Sequence, residues 1–546
     1  MKKLSAALVA IASLAGVWLG AQPRAQPPAG PDIRLVLLIA VDQFRYDYLT
    51  RFRADYTSGI KQLLTQGAVF TDANLEHYPT VTAIGHATML SGATPSVSGI
   101  IGNDWFDRET GATVTSVSDP AVKAIGSSAS VSASPWRLLV STLGDELKIA
   151  SHAPKGALEA PRVFGISLKD RSAILSAGRS ADAAFWWDSN AGSFVTSTYY
   201  GPGVAEWVNE FNARKPADAH AGAAWSSLSN PPALLKQLPA ERGSDLYSAV
   251  TSSPFGNDLV LDFATELLTR EQLGTRKTTD VLSVSFSSND SVGHTHGPDS
   301  PHVRDIAIRT DRTIGRLLNQ VAKTVGLQHT VVAFTTDHGV APVPESNRER
   351  GLPGGRMTTK ELFDPIQQAL AARFGEGKWI LATAGSSPYL NYDLMQKLQL
   401  DPVEVRRVAA EAATKVPHVA RVYTRDQLLR GDVPNDRIGT RVLRGFNAQR
   451  SGDLEIILEP YWMRQAQGTT HGTPYSYDAH IALILMGRQI RPGEYSDHAA
   501  LNDLAPTLAT LLKVEIPSGS VGRVLTEVLR PAAEMTRGGR QTSVAR

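Results

Sequence analysis

Three apolar runs in this chain lead directly into acids, and acids so placed invite metal chemistry. Residues 33–41 (IRLVLLIAV) end at Asp42, residues 281–286 (VLSVSF) lead through SSN to Asp290, and residues 330–334 (TVVAF) lead through TT to Asp337 and His338. In open α/β sheets, ligands bind outside the carboxyl ends of the strands. Three acids gathered there would repel one another strongly, and a metal ion is the simplest neutraliser. Histidines stand at matching spacings. Asp290 and His294 are one helical turn apart and so share a side, Asp337 and His338 are adjacent, and His471 precedes a fourth apolar run at 481–486 (IALILM). His480 is the rival to His471. Any one of these residues alone reads as a surface acid or a hydrogen-bonded core histidine; it is the repetition at three strand ends that favours metal. Asp42, Asp290, His294, Asp337, His338 and His471 would suit two zinc ions, each with three protein ligands and an open position. Two metals ~4 Å apart can clamp the attacking and leaving oxygens of an in-line displacement.

A nucleophile and anion-binding groups accompany the ligands. Tyr78-Pro79-Thr80-Val81-Thr82 leads into the small-residue stretch AIGHATML. A hydroxyl at a helix start lies where backbone N–H groups and the helix dipole favour an anion. Thr82 and Thr80 compete for that place, and either could equally serve as a simple N-cap. Asn103, in the glycine-bearing GIIGNDW, can donate an amide hydrogen bond to an oxyanion. Lys169 and Arg171, in SLKDR, follow a strand-like stretch at 162–166; two apart in extended chain, they project to one side and can meet a phosphate.

The elements that must hold these residues read as α/β. Apolar runs at strand length alternate with helical patterns such as 303–325, with Ile306, Ile314, Leu317, Leu318 and Val321 in period, the mark of a buried, mostly parallel sheet between helices. Two stretches read as insertions, 111–254, which is rich in Ser, Ala and Gly and carries five tryptophans, and 351–462. The 55 basic residues almost balance 53 acidic ones, so nothing points to nucleic acid. With no cysteine, disulfides, thiolate metal sites and iron–sulfur clusters are excluded. Residues 1–21 carry Lys2, Lys3, an apolar stretch and a small-residue site at Leu19-Gly20-Ala21, the layout of an export signal. A linker at 22–32, a catalytic domain at 33–530 and a flexible tail at 531–546 complete the expected organisation, with a periplasmic or secreted product that no membrane retains after signal cleavage.

The segments VDQFRYDYL, YPTVTAIGHATMLSG, GIIGNDW, SLKDR, SSNDSVGHTHGP, TTDHG and THGTPYSYD resemble the alkaline phosphatase superfamily. The likeness is to monomeric bacterial alkaline phosphatases with a threonine nucleophile, whose core is shared with type I phosphodiesterases and nucleotide pyrophosphatases. It spans residues 41–478. The resemblance implies an alkaline-phosphatase-like three-layer sandwich and two zinc ions per chain. Thr82 would be the nucleophile and become transiently phosphorylated, which sets Thr80 outside the pattern. Asp290, His294 and His471 would hold one zinc and Asp42, Asp337 and His338, with Thr82, the other. Asn103, Lys169 and Arg171 would bind the phosphoryl group. The implied activity is broad-specificity hydrolysis of phosphate monoesters by a monomer; the alternative is a phosphodiesterase or nucleotide pyrophosphatase on the same two-metal core. Sulfatases of this superfamily generally use a formylglycine made from cysteine, which this chain lacks.

Overall fold

The computed structural model describes residues 32–126 and 132–530; the expected export signal, all but the last residue of the linker and the tail lie outside the described residues. Ten strands form one sheet: β1 (Leu35–Val41), β2 (Ala68–Phe70), β3 (Ala124–Ile125), β4 (Val163–Ser167), β5 (Ala183–Asp188), β6 (Ser193–Ser197), β7 (Asp280–Phe286), β8 (Thr330–Thr335), β9 (Leu483–Met486) and β10 (Gly493–Tyr495). Their spatial order is β10-β2-β9-β8-β1-β7-β4-β5-β6-β3. The five central strands, β8 to β5, run parallel. The flanks turn antiparallel at β9 and β6, so the sheet as a whole is mixed.

The centre of the sheet explains the composition of its strands. Every residue of β1, β7 and β8 is buried, because helices cover both faces and leave no polar side for alternation. One layer holds α1 (Thr82–Ser91) packed on α2 (Asp170–Ala177); the other holds α3 (Pro254–Arg270), α4 (Ser288–His296) and α5 (Pro301–Thr324). The last matches the expected periodic helix at 303–325. It begins slightly earlier because Ser300 caps the Val303 N–H and Pro301 occupies the first turn, where a missing N–H costs nothing.

The stretch 111–254 does not stand apart as the sequence suggested. It supplies β3, β4, β5 and β6 to the main sheet. Trp186, Trp187, Trp207 and Trp225 are buried, and only Trp136 is exposed. Phe185, Phe194 and Trp207 pack around Phe263 of α3 at 4.2–5.1 Å between ring centroids. Short strands among Ser, Ala and Gly hid this contribution. Residues 355–463, by contrast, carry a core of their own around Trp379, Leu362, Val405 and Ile456. Two antiparallel pairs, Ile380–Ala384 with Ser387–Leu390 and Val419–Thr424 with Leu454–Leu458, lie outside the main sheet. Tyr78, Tyr423, Phe446 and Ile457 join this region to the catalytic body.

Candidate active site

Adjacency of β1, β7 and β8 brings the three acid-bearing ends together. Ala40 stands in register with Ser285 on one side and Thr335 on the other, so Asp42, Asp290 and Asp337 emerge at one edge. After Asp42 the chain turns through Gln43 at φ 61°, an uncommon conformation for a residue with a Cβ. That turn aims both donors of Gln43 at the acids. Its backbone N–H donates to Asp337 Oδ1 at 3.1 Å and its Nε2 donates to Asp290 Oδ1 at 2.6 Å. Gly293 leaves the space for it, since a Cβ there would stand 1.9 Å from Gln43 Oε1.

The helix α1 lies against the same edge. A Cβ at Gly85 would fall 2.5 Å from Asp337 Cβ, so only glycine lets the helix approach this closely. Thr82 occupies the first turn, with its Oγ1 3.2 Å from His338 Nε2. Thr80, the competing hydroxyl, is turned away and donates to the Thr473 carbonyl at 2.9 Å. Asn103 accepts the Ala83 N–H at its side-chain oxygen, 2.9 Å away, and so retains its amide donors.

Two groups of ligand atoms arise. Asp42, Asp337 and His338 have ligand atoms within 4.8 Å of one another, as do Asp290, His338 and His471. His338 thus stands in both. His294, expected in the second group, lies at its margin, with Nε2 3.2 Å from Asp290 Oδ1 and its ring 5.1 Å from that of His471. His480, the rival to His471, sits elsewhere: its Nε2 is 3.0 Å from the Thr71 carbonyl and its ring stacks on Tyr46.

The donor set fits divalent cations. Each of the three imidazoles has its Nδ1 tied to a backbone carbonyl: His294 to Thr469 at 2.8 Å, His338 to Gly339 at 3.0 Å and His471 to Thr80 at 2.8 Å. Such a bond holds the proton on Nδ1 and presents the Nε2 lone pair to a metal. Asp42 Oδ1 and Asp337 Oδ2 are buried with no hydrogen-bond partner among the described residues, a costly state that a cation relieves. Burial, with Asp42 beside it, drives the Asp337 carboxyl well above the usual range. Burial likewise pulls His338 down to about 4 and His471 well below its ordinary value; both are neutral, the form that ligates. At His294 burial acts the same way, but neighbouring Asp290 outweighs it and the net shift is upward.

Lys169 joins the two groups, its Nζ 2.5 Å from Asp42 Oδ2 and 2.6 Å from Asp290 Oδ2. Burial disfavours the ammonium, yet Asp290 and Asp42 overcome this and raise its pKa. Arg171, two residues on, has a buried Nε without a partner among the described residues. Two further polar residues at the site escaped the sequence reading. Gln43 lies in the turn after β1, and His86 places Nδ1 2.9 Å from the Thr82 carbonyl, Nε2 2.8 Å from Ser285 Oγ and Nδ1 3.4 Å from Asp337 Oδ2. The one available signal for His86 was its position a single turn after Thr82.

An acid-and-imidazole cluster at the carboxyl edge of a parallel sheet, faced by a helix-borne hydroxyl, defines a class. The chain belongs to the type I phosphodiesterase / nucleotide pyrophosphatase family, which it matches over residues 36–477. Within that family it is similar to alkaline phosphatase PafA of Elizabethkingia meningoseptica, 34% identical over 538 residues that cover 94% of this chain and 96% of the relative. The solved structure of that phosphatase superposes with a TM-score of 0.84 at 34% identity, covering 92% of this chain and all of the other. Alkaline phosphatase PhoV of Synechococcus elongatus is 32% identical over 541 residues, 93% of this chain and 96% of that one. A protein of Myroides odoratus named calcium-transporting ATPase is 33% identical over 525 residues, 91% and 94% of the two chains. Among the described residues no helix is long and apolar enough to cross a membrane.

Proposed function

We propose that this protein is an alkaline phosphatase that hydrolyses phosphate monoesters of broad structure and releases inorganic phosphate. The observation that carries the monoester reading is Lys169, whose ammonium touches both Asp42 and Asp290. A monoester dianion carries one more negative charge than a diester, and a lysine placed between the two ligand groups, with Arg171 beside it, answers that charge. Support for the four substrate-facing residues comes from a solved PafA variant altered together at a threonine, an asparagine, a lysine and an arginine. Its threonine–asparagine and lysine–arginine spacings equal those of Thr82 to Asn103 and Lys169 to Arg171.

In the proposed reaction the Thr82 oxygen attacks phosphorus in line with the ester oxygen. The Thr82 hydroxyl loses its proton to solvent, a bond from Oγ1 to phosphorus forms as the bond from phosphorus to the leaving oxygen breaks, and that oxygen takes a proton from water. Asn103 donates to a non-bridging oxygen, and Lys169 and Arg171 neutralise the others. Water then attacks phosphothreonine from the vacated side, returns the hydroxyl and frees phosphate. Two zinc ions, held by Asp42, Asp337 and His338 and by Asp290, His294 and His471, would supply the positive charge that phosphoryl transfer demands at its attacking and departing oxygens. Residues 1–21 are proposed to direct export to the periplasm or beyond, and the mature chain to act as a monomer.

The deciding experiment compares an aryl phosphate monoester with the bis-aryl diester at alkaline pH, before and after chelation and zinc add-back. A large monoester preference restored by zinc is expected. A diester preference would move the enzyme to the phosphodiesterase reading favoured by the family name.

A further inference from the structure

One cavity of about 420 Å³ extends beyond the ligand groups, lined on the catalytic side by Asn103 and His471 and on the other by Ser387, Glu455 and Arg464 of the 355–463 region. Its polar wall is unusual for the strand that builds it. In Leu454–Leu458, the residues Leu454, Ile456 and Leu458 belong to the core of the 355–463 region, while Ile457 faces the cluster that includes Tyr78. Alternation puts Glu455 on the same face as Ile457. A carboxyl thus occupies a position at which an apolar side chain would join the two bodies more cheaply.

Glu455 is only 9% exposed. Among the described residues the single hydrogen-bond partner of its carboxyl is Ser387, whose Oγ, 3.2 Å from Oε1, shares its one proton with the Leu454 carbonyl at 2.8 Å, and no cation pairs with it. Burial pushes the carboxyl up to about 7 despite that bond. Arg464 lines the same space, with Nη2 on Thr359 Oγ1 at 3.1 Å, Nη1 on the Gly385 carbonyl, and a buried Nε that has no partner among the described residues. Two ionisable side chains therefore border one cavity without pairing, which leaves the hydrogen-bonding capacity of Glu455 available to a ligand.

The direction of the reaction says which part of the substrate enters. Thr82 stands beside His338; in the proposed reaction the leaving oxygen departs opposite the nucleophile, at the group of Asp290, His294 and His471, and His471 also lines the cavity. We propose that this cavity receives the leaving group of the ester and that Glu455 favours leaving groups bearing hydroxyl or ammonium donors over apolar ones of equal size. This inference rests on the phosphatase reading above.

The test compares kcat/KM for glycerol phosphate and propyl phosphate, which differ in hydroxyls and little in size, in wild type, Glu455→Gln and Glu455→Leu. Wild type is expected to prefer glycerol phosphate. Glu455→Leu should lower that preference by about tenfold or more, as loss of a hydrogen bond to a charged group implies, and Glu455→Gln should lower it less. Competition by free glycerol against free propanol in wild type gives the same comparison without a variant, with glycerol expected to bind more tightly. A ratio unchanged in both variants, or equal competition by the two alcohols, overturns the inference while leaving monoester hydrolysis intact. Turnover of neither ester overturns the phosphatase reading and the inference with it.

Discussion

The two proposed ligand groups are built by different means. Asp42, Asp337 and His338 are fully buried and come from the ends of β1 and β8, neighbours whose register is set by the sheet. Asp290 and His294 ride on a helix, and His471 arrives on a loop that follows the 355–463 region. Their side chains are correspondingly more open, with His294 26% exposed. Backbone hydrogen bonding fixes the first group almost completely. The second is completed only when distant segments pack. Preorganisation is therefore uneven across a site whose proposed chemistry uses the two sides in turn.

The difference can be tested ligand by ligand. Asp337→Asn keeps the shape of the buried group while removing its charge, and it should cost the most, roughly 10³-fold or more in kcat/KM, with bound zinc falling by about one per chain. His294→Gln should cost less, about 10²-fold, with partial retention of the second zinc. A greater loss at His294 than at Asp337 would reverse the ranking argued from burial. Gln43→Leu removes the bond from Nε2 to Asp290 while the backbone bond to Asp337 persists. Metal affinity should fall about 10- to 100-fold, as for other groups that orient ligands; metal titration checks this, and unaltered affinity would reduce Gln43 to a turn residue.

Glu455 sharpens the contrast from outside both groups, as a carboxyl raised by burial. Its folded pKa of about 7 lies above the ordinary 4.5. The protonated form is thus favoured by folding, and the stability this group contributes is present below about 4.5 and lost as pH rises to about 7. Glu455→Gln should then melt higher than wild type above pH 7, by about 3 kcal/mol or less, with the gain disappearing below pH 4.5. Thermal melts of metal-free protein across that range measure it; a gain independent of pH would point to packing instead of charge.

Much of this arrangement is legible in the sequence because the central strands are buried on both faces. Continuous apolar runs announced β1, β7 and β8, and the acids after them announced where a site would form. β9 read as another such strand, yet it is antiparallel; an apolar run records burial and not direction. β4 was legible as the strand-like stretch at 162–166, but β5 and β6 were not, because β6 is short and serine-bearing and the tryptophans of 111–254 suggested a separate body. His471 could be preferred over His480 only by likeness of motif, since both precede β9 and only the tertiary fold turns one inward. Gln43 left no pattern, since it acts through a backbone turn, and His86 left only its place one turn after Thr82, on a helix that packs closely because Gly85 lacks a side chain.

The residues gathered at the site are scattered from Asp42 to His471 along the chain, and β9 and β10, which extend the sheet beyond β8, come later still. A growing polypeptide therefore holds only fragments of the metal-binding constellation until most of it has been made. A chain that ends after residue 338 already holds Asp42, Asp337 and His338, but the group of Asp290 still lacks His471. A chain cut short before residue 471 would lack His471, β9 and β10, and is expected to hydrolyse no ester.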